Sequence, residues 1–239
     1  MRLTWIFLAT VLFLTTCSWE ETLVFQDFQS FQSYHRGDRF PFVHTQESHG
    51  VRFYLRYLPA DALLADELRR ATREREKILI RKEGAAGVGQ RCTAAEWEAL
   101  RKRQETYRES VYFRLTIGFE DEDRDLVFHR MKSSMGDYHH WLHSLQFGLK
   151  SKVFLENAQG ERVALAAYHF ERSFGLRKSR DFLLVFPADL AFKAFKDRAS
   201  FTLVIREFGL KTGLVRLRPS WRIPKIRVEL PPLTPTLQS

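Results

Sequence analysis

The chain has 239 residues, of which 44% are hydrophobic and 28% charged, with 12 Gly and 8 Pro. This composition is typical of a globular protein and excludes collagen-like, mucin-like, coiled-coil and intrinsically disordered classes. Lys and Arg number 38 against 29 Asp and Glu, which gives a net charge of +9, and two Cys allow at most one disulfide. The sequence therefore predicts a folded basic protein that is not built on a disulfide framework.

The N-terminal residues have the pattern of a secretory signal. Arg2 is followed by an apolar segment, residues 3–14, without any charged residue. This order matches the basic and hydrophobic regions of a signal peptide. The segment is shorter than the stretch of about 20 apolar residues that a membrane-spanning helix needs. We therefore expect export followed by cleavage.

The segment Leu14-Thr15-Thr16-Cys17 ends this signal. It resembles the lipobox of bacterial lipoproteins, with an aliphatic residue three positions before the cysteine. The resemblance implies that residues 1–16 are removed and that Cys17 carries a diacylglycerol and an N-acyl chain such as palmitate, enough for stable membrane attachment. It also implies a place in the cell envelope, at the outer membrane if the source is Gram-negative, because Ser18 rather than Asp follows the cysteine. The alternative is an ordinary signal peptide, in which Cys17 is an incidental apolar residue.

Most of the remaining sequence alternates between apolar and polar residues with a period of two. The clearest cases are residues 51–57 and 111–119, as expected for half-buried strands. Further strands are predicted at residues 22–28, 125–131, 151–156, 161–171, 181–186, 200–208, 213–218 and 223–230, with turns at 157–160 and 209–213. Many short strands separated by turns predict a mainly β fold, a β-sandwich, with an immunoglobulin-like arrangement as one option.

Two helices interrupt the strand pattern. They are predicted at residues 61–82, with Asp61 as the N-terminal cap, and 94–109, where Thr93 and Glu96 form a capping box. A Gly-rich segment, residues 83–90, joins them into a helical hairpin of about 61–109. Because the flanking strand patterns are complete without it, we expect a removable insertion. A short helix at 136–147 and a Pro-rich tail at 231–239 complete one lipid-anchored domain, residues 17–230.

Two clusters contain residue types that bind metals. His139 and His143 lie four positions apart on the predicted short helix, the spacing of zinc ligands on one helix face. Asp121, Asp123 and Asp125 repeat the first ligand positions of a calcium loop, but Leu126 and Lys132 occupy positions where an EF-hand needs Gly and Glu. These patterns predict at most a zinc site and a looser calcium site, and surface roles are the alternative.

The basic excess comes from residues 151–239, which contain 16 basic and 8 acidic residues. Arg172, Arg177, Lys178 and Arg180 form one cluster, which we interpret as an anion-binding site. An exported chain meets anionic lipids and acidic glycans rather than nucleic acid, so nucleic acid is not expected as a partner. The alternative is that these cations only solvate strand faces.

The motifs of common nucleophilic enzymes are missing from this sequence. It contains no G-x-S-x-G elbow and no S-x-x-K pair. We therefore expect a lipid-anchored envelope protein with a noncatalytic binding or structural role, toward an anionic lipid or glycan or toward an envelope protein that docks on the helical hairpin. The alternative hypothesis is a metal-dependent envelope hydrolase that uses His139 and His143.

Overall fold

The computed structural model describes residues 22–67, 69–70, 94–121, 123–130, 134–171, 177–194 and 200–229. Within these ranges, eleven strands form three sheets, and five α-helices accompany them. The protein therefore mixes helices and strands in similar amounts, so the expectation of a mainly β chain is met only in part. The proposed signal peptide, Cys17 and the residues of the Pro-rich tail lie outside the described residues.

The elements are numbered in chain order. The strands are β1 Thr22–Phe25, β2 Val43–Ser48, β3 Val51–Leu58, β4 Ser110–Phe119, β5 Val153–Glu156, β6 Arg162–Ala164, β7 Ala167–Phe170, β8 Arg180–Pro187, β9 Thr202–Ile205, β10 Val215–Leu217 and β11 Lys225–Val228. The helices are α1 Phe28–Arg36, α2 at residues 60–67 and 69–70, α3 Ala94–Arg108, α4 Met135–Phe147 and α5 Ala188–Ala194.

Two antiparallel sheets and one parallel ribbon organise the strands. The first sheet has five strands in the order β2-β3-β4-β8-β7, and the second has four in the order β10-β9-β5-β6. In the first sheet, Phe53 of β3 lies opposite Ile117 of β4, which places the apolar residues of both strands on the same face. β1 and β11 form the separate two-stranded parallel ribbon.

One hydrophobic core joins the two larger sheets. Phe53, Phe113 and Phe182 of the five-stranded sheet are fully buried, as are Leu155 and Leu203 of the four-stranded sheet, and all five belong to one cluster. Burial of such a side chain contributes roughly 1.5–3 kcal/mol. At its two edges the smaller sheet approaches the larger one, β6 near β8 and β10 near β2.

Several local predictions are confirmed. Residues 51–57 and 111–119 are strands whose alternate residues are buried. The predicted short helix is α4, and the predicted turn at 157–160 contains Gly160 with a φ of 83°. Such a positive φ favours glycine because it has no Cβ.

Other local predictions are wrong. Residues 125–130 of the predicted strand 125–131 do not form a strand, because the Asp125 carboxylate accepts the backbone N–H groups of Val127 and Phe128 and the chain continues as a 3-10 helix. The predicted strand 161–171 is two strands, since the chain leaves the four-stranded sheet after Ala164 and enters the five-stranded sheet at Ala167. The prediction also missed α1, β2 and α5.

Helices α2 and α3 lie between β3 and β4 in the chain, where the sequence predicts the hairpin. Asp61 does not cap α2 but lies inside it, fully buried. Its carboxylate accepts the Val228 N–H at 2.7 Å and the Gln104 side-chain amide at 2.7 Å, and Arg108 is 3.3 Å away. The hairpin is therefore bonded to β11. The predicted Gly-rich connection at 83–90 and residues 71–82 of the predicted first helix lie outside the described residues.

Among the residues that the structure describes, no helix combines the length and the apolar character needed to cross a membrane.

Candidate functional site

An open cleft lies on the outer face of the five-stranded sheet, at the end where β3 begins and β4 ends. Its volume is about 540 Å³. Four of its lining side chains are cationic, two are aromatic and two carry aliphatic hydroxyl groups. The full lining is Arg52, Tyr54, Thr116, Gly118, Phe119, Asp123, Arg124, Arg177, Lys178 and Ser179. We call this feature the cationic cleft.

The floor of the cationic cleft follows from strand alternation. Arg52 and Tyr54 alternate with residues of β3 that face the core, so they point to the outer face. Opposite them on β4 lie Gly118 and Thr116. A Cβ at Gly118 would lie 3.0 Å from the Ser179 Cβ. Glycine at this position therefore lets the segment around Ser179 approach the sheet closely and form one wall.

Each cation of the cleft is positioned by a neighbouring group while most remain open to solvent. Arg52 pairs with Glu47 at 2.8 Å and Lys178 pairs with Asp123 at 2.8 Å, and the two cationic side chains are 47% and 51% exposed. Arg124 lies over the Phe119 ring, 4.0 Å from its centroid. Exposed ion pairs of this kind contribute no more than about 1 kcal/mol. An incoming anion therefore competes with them at small cost.

Arg177 is more exposed than Arg52 and Lys178. Its side chain is 72% exposed, and its guanidinium lies 3.7 Å from the Asp181 carboxylate. Nearby, the hydrogen bond and charge of Lys178 lower the pKa of Asp123, so this acid stays ionised at neutral pH. The cleft thus carries charges of both signs, with four cations against the single carboxylate of Asp123 among its lining residues.

Arg180, predicted as a fourth anion-binding cation, does not belong to this surface. Its side chain is only 3% exposed, and its guanidinium forms a bidentate pair with Asp125 at 2.8 and 3.0 Å. It also donates to the backbone carbonyls of Arg177 and Ser179. Arg180 therefore holds the wall of the cleft in place from below, which corrects its sequence-based role. Arg172 lies outside the described residues.

The three aspartates proposed for calcium face different partners. Asp125 is engaged by Arg180, Asp123 by Lys178, and Asp121 accepts the backbone N–H of Asp123 at 3.0 Å. Within the described ranges, no three His, Cys, Asp or Glu residues are arranged to hold a metal ion. The calcium site stays a prediction, and these contacts account for the described carboxylates without a metal.

His139 and His143 lie on α4, as predicted, and both are exposed. The His143 ring is 4.9 Å from the Phe147 ring, and the His139 ring is 5.6 Å from the Tyr138 ring. His129 lies against Trp141 of α4, and its Nδ1 is 2.7 Å from the Leu126 carbonyl oxygen. The zinc site likewise stays a prediction.

Sequence reasoning found Arg177 and Lys178 but missed Arg52 and Arg124. The sequence signal for Arg52 is that it is one of the polar residues that alternate with apolar residues at 51–57, so it is predicted to face solvent. Arg124 lies within the acidic segment 120–125, for which the sequence predicts a calcium-like turn. Neither residue is near position 177 in the chain, so only the pairing of β3, β4 and β8 brings these cations together.

Comparison with known proteins does not place the chain in a family. No family model and no curated protein matches it. One solved structure that it resembles is a protein of unknown function from Burkholderia pseudomallei, with 11% sequence identity and a TM-score of 0.35. The alignment covers 73% of this chain and 77% of that one.

Proposed function

We propose that this chain is an exported, lipid-anchored protein of the cell envelope that binds an acidic glycan in the cationic cleft and carries out no catalysis. The observation that carries the proposal is the convergence of Arg52, Arg124, Arg177 and Lys178 on one open cleft. Cations held at the rim of a concave surface raise the local concentration of anionic ligands.

The other lining groups favour a sugar over a simple inorganic anion. Tyr54 offers aromatic surface. The Ser179 hydroxyl donates and accepts hydrogen bonds, and the Thr116 hydroxyl, which donates to the Asp181 carboxylate at 2.6 Å, still offers lone pairs as an acceptor. A sugar ring carries both apolar C–H surface and hydroxyl groups, and an acidic sugar adds the carboxylate that Arg binds in bidentate fashion. All three chemistries are thus available within one cleft of about 540 Å³.

Lipid anchoring rests on the N-terminal sequence, where Cys17 ends the lipobox-like segment after an apolar signal. It places the protein in the envelope, at the outer membrane if the source is Gram-negative. A Cys17→Ala variant is expected to lose metabolic labelling by palmitate and to keep its full precursor length. Unchanged palmitate labelling in this variant would refute the anchor.

The fold that we infer for this function is a β-sandwich with α2 and α3 as an inserted hairpin. Two features support it: both larger sheets contribute to one core, and both edges of the smaller sheet approach the larger one. The immunoglobulin-like option, and the docking of an envelope protein on the hairpin, stay predictions. The hydrolase hypothesis gains no support from the described contacts of His139 and His143.

The cleft is tested with a soluble polyuronate and the purified full chain in neutral detergent. Charge reversal of Arg177 and Lys178 to Glu is expected to weaken binding at least tenfold. The parent affinity is expected to fall steeply between 0.1 M and 1 M salt, where the screening length drops from about 10 Å to about 3 Å.

The matched control reverses Lys150 and Lys193, two exposed cations outside the cleft lining, and should bind like the parent. Equal weakening in both double variants would show a general charge effect and contradict the cleft. Failure of the parent to bind the polyuronate at 0.1 M salt would contradict the acidic-glycan assignment.

A further inference from the structure

The ribbon of β1 and β11 has one exposed face. The parallel pairing sets Thr22 beside Lys225 and Val24 beside Arg227, and all four residues are exposed. The alternate residues of β11 face the core, where Ile226 is 8% exposed. We call the surface of Thr22, Val24, Lys225 and Arg227 the ribbon face.

The ribbon begins close to the proposed lipid anchor. Only residues 18–21 separate Cys17 from Thr22. Even a fully extended chain covers at most about 3.6 Å per residue, so the Cα atoms of Cys17 and Thr22 are no more than about 18 Å apart. If Cys17 carries lipid, as the proposed function requires, the start of the ribbon face lies within about that distance of the membrane surface.

The ribbon and the cationic cleft lie at opposite ends of the five-stranded sheet. The Tyr57 hydroxyl donates to the Pro224 carbonyl at 3.1 Å, and the Val228 N–H donates to Asp61 at 2.7 Å. These contacts place β11 at the end where β3 finishes. The cleft begins at Arg52, six residues earlier on β3, a separation of about 20 Å along a strand.

We propose that the ribbon face lies on the anionic headgroups of the anchoring membrane and that the cationic cleft therefore faces away from it. This inference rests on the proposed lipid anchor. Lys225 and Arg227 attract anionic lipid, exposed Arg222 lies just before them, and Val24, 49% exposed, adds apolar surface. Glu20 and Glu21, in the segment between Cys17 and the ribbon, repel the same lipid, as does Glu229 at the far end of β11. The attraction to anionic lipid therefore comes from the ribbon cations.

One consequence concerns the ligand of the cationic cleft. A cleft that faces away from the anchoring membrane meets molecules of the compartment into which the domain projects. Headgroups of the same membrane are then out of reach. The orientation thus decides between the two anionic ligands that the sequence leaves open, lipid and glycan, in favour of the glycan.

The test uses the full lipidated chain, with Cys92 replaced by Ser, in vesicles of 70% phosphatidylcholine and 30% phosphatidylglycerol. A fluorophore is attached at Val24→Cys on the ribbon face or at Glu120→Cys beside the cleft, and headgroup-attached nitroxide lipid serves as quencher. We expect quenching at position 24 to exceed that at position 120 at least threefold. Reversal of Lys225 and Arg227 to Glu should remove at least half of the quenching at 24, whereas reversal of Lys150 and Lys193 should not.

Intact mass and vesicle flotation report the lipid anchor separately. A chain that lacks the lipid refutes the anchor and this orientation together. An anchored chain that is quenched equally at both positions, or more at 120, refutes the orientation alone. Quenching at position 24 that is unaffected by charge reversal and by 0.5 M salt refutes the electrostatic contact between the ribbon cations and the anionic headgroups. On purely neutral vesicles, quenching at position 24 that decreases as the protein density increases would instead identify a second copy of the chain as the molecule that covers the ribbon face. The salt comparison needs no variant, so it holds even if a charge reversal impairs folding.

Discussion

His35, near the C-terminal end of α1, lies between two aromatic rings and is affected by the charges of three arginines. Its ring centroid is 5.7 Å from that of Phe31 and 4.9 Å from that of Phe40. Its Nε2 atom is buried without a hydrogen-bond partner among the described residues. Burial, followed by the charges of Arg56, Arg114 and Arg36, lowers the pKa of His35 from 6.5 to about 4. His35 is therefore neutral in the folded protein at physiological pH.

This neutral histidine makes stability depend on pH. The pKa is lower in the folded state, so the unfolded chain binds the proton first. The contribution of neutral His35 to the free energy of unfolding is complete above about pH 6.5 and is lost as the pH falls toward 4. We expect the parent to lose about 2 kcal/mol more than a His35→Gln variant between pH 7 and pH 4.5. Urea unfolding of both proteins at each pH measures this difference, and identical pH dependence would contradict it.

At the scale of elements, the turn between β9 and β10 is held by one carboxylate. Glu207 accepts the backbone N–H groups of Gly209 at 2.5 Å, Lys211 at 3.0 Å and Gly213 at 2.8 Å. These three residues have positive φ values of 117°, 61° and 65°. The sequence signal for this turn, glycine at 209 and 213, is explained by that geometry.

The same turn gives a second prediction. Burial alone would raise the pKa of Glu207, but the backbone N–H donors outweigh it and the pKa is lowered. The carboxylate therefore stabilises the fold above its ordinary pKa of 4.5, and this stabilisation is lost as the pH falls through the lowered value. After allowance for solvent screening, Glu207→Gln should cost about 1 kcal/mol at pH 7. Chemical denaturation should show a smaller cost at pH 3, and an equal cost at both pH values would contradict the role of the charge.

Elements could be predicted from the sequence where local patterns determine them, and not where distant contacts do. The alternation at 51–57 survives in the fold because both neighbours of β3 are antiparallel strands. The split between β6 and β7 has no comparable local signal, since the chain changes sheets within a continuous β-like segment. α1, by contrast, does have a local signal: Asp27 accepts the Ser30 N–H at 2.7 Å and caps a helix whose residues at 28 and 31 are both Phe.

The candidate site shows the same division. Arg177 and Lys178 are adjacent in a visibly basic segment, so composition alone points to them. Arg52 enters the site only through the pairing of β3 with β4 and of β4 with β8. Arg180 belongs to the same basic segment, yet Asp125, 55 residues away in the chain, removes it from the surface. Charge clustering in the sequence therefore predicts which segment matters but not which side chains are accessible.

For the whole molecule, the question is whether the helical hairpin is an appendage. Ala62 and Ala65 of α2 belong to the main core cluster. Gln104 of α3 bridges Asp61 and the Val228 carbonyl, with its amide at 2.7 and 3.0 Å from the two oxygens. The hairpin thus contributes to the main core and bonds to the C-terminal strand, and these contacts argue against a removable insertion.

Replacement of residues 61–109 by a Gly-rich linker should therefore abolish cooperative folding, because β11 would lose its partners on α2 and α3 and the core would be open at that end.

Gln104→Ala is the milder companion variant. It leaves the buried Asp61 carboxylate without one donor and the Val228 carbonyl without its side-chain partner, which should cost about 2 kcal/mol. Thr106→Ala, on the exposed side of α3, is the matched control and should change stability by no more than about 0.5 kcal/mol. Thermal melts of the three proteins decide the matter: a cooperative transition in the linker protein would show that the two sheets fold without the hairpin.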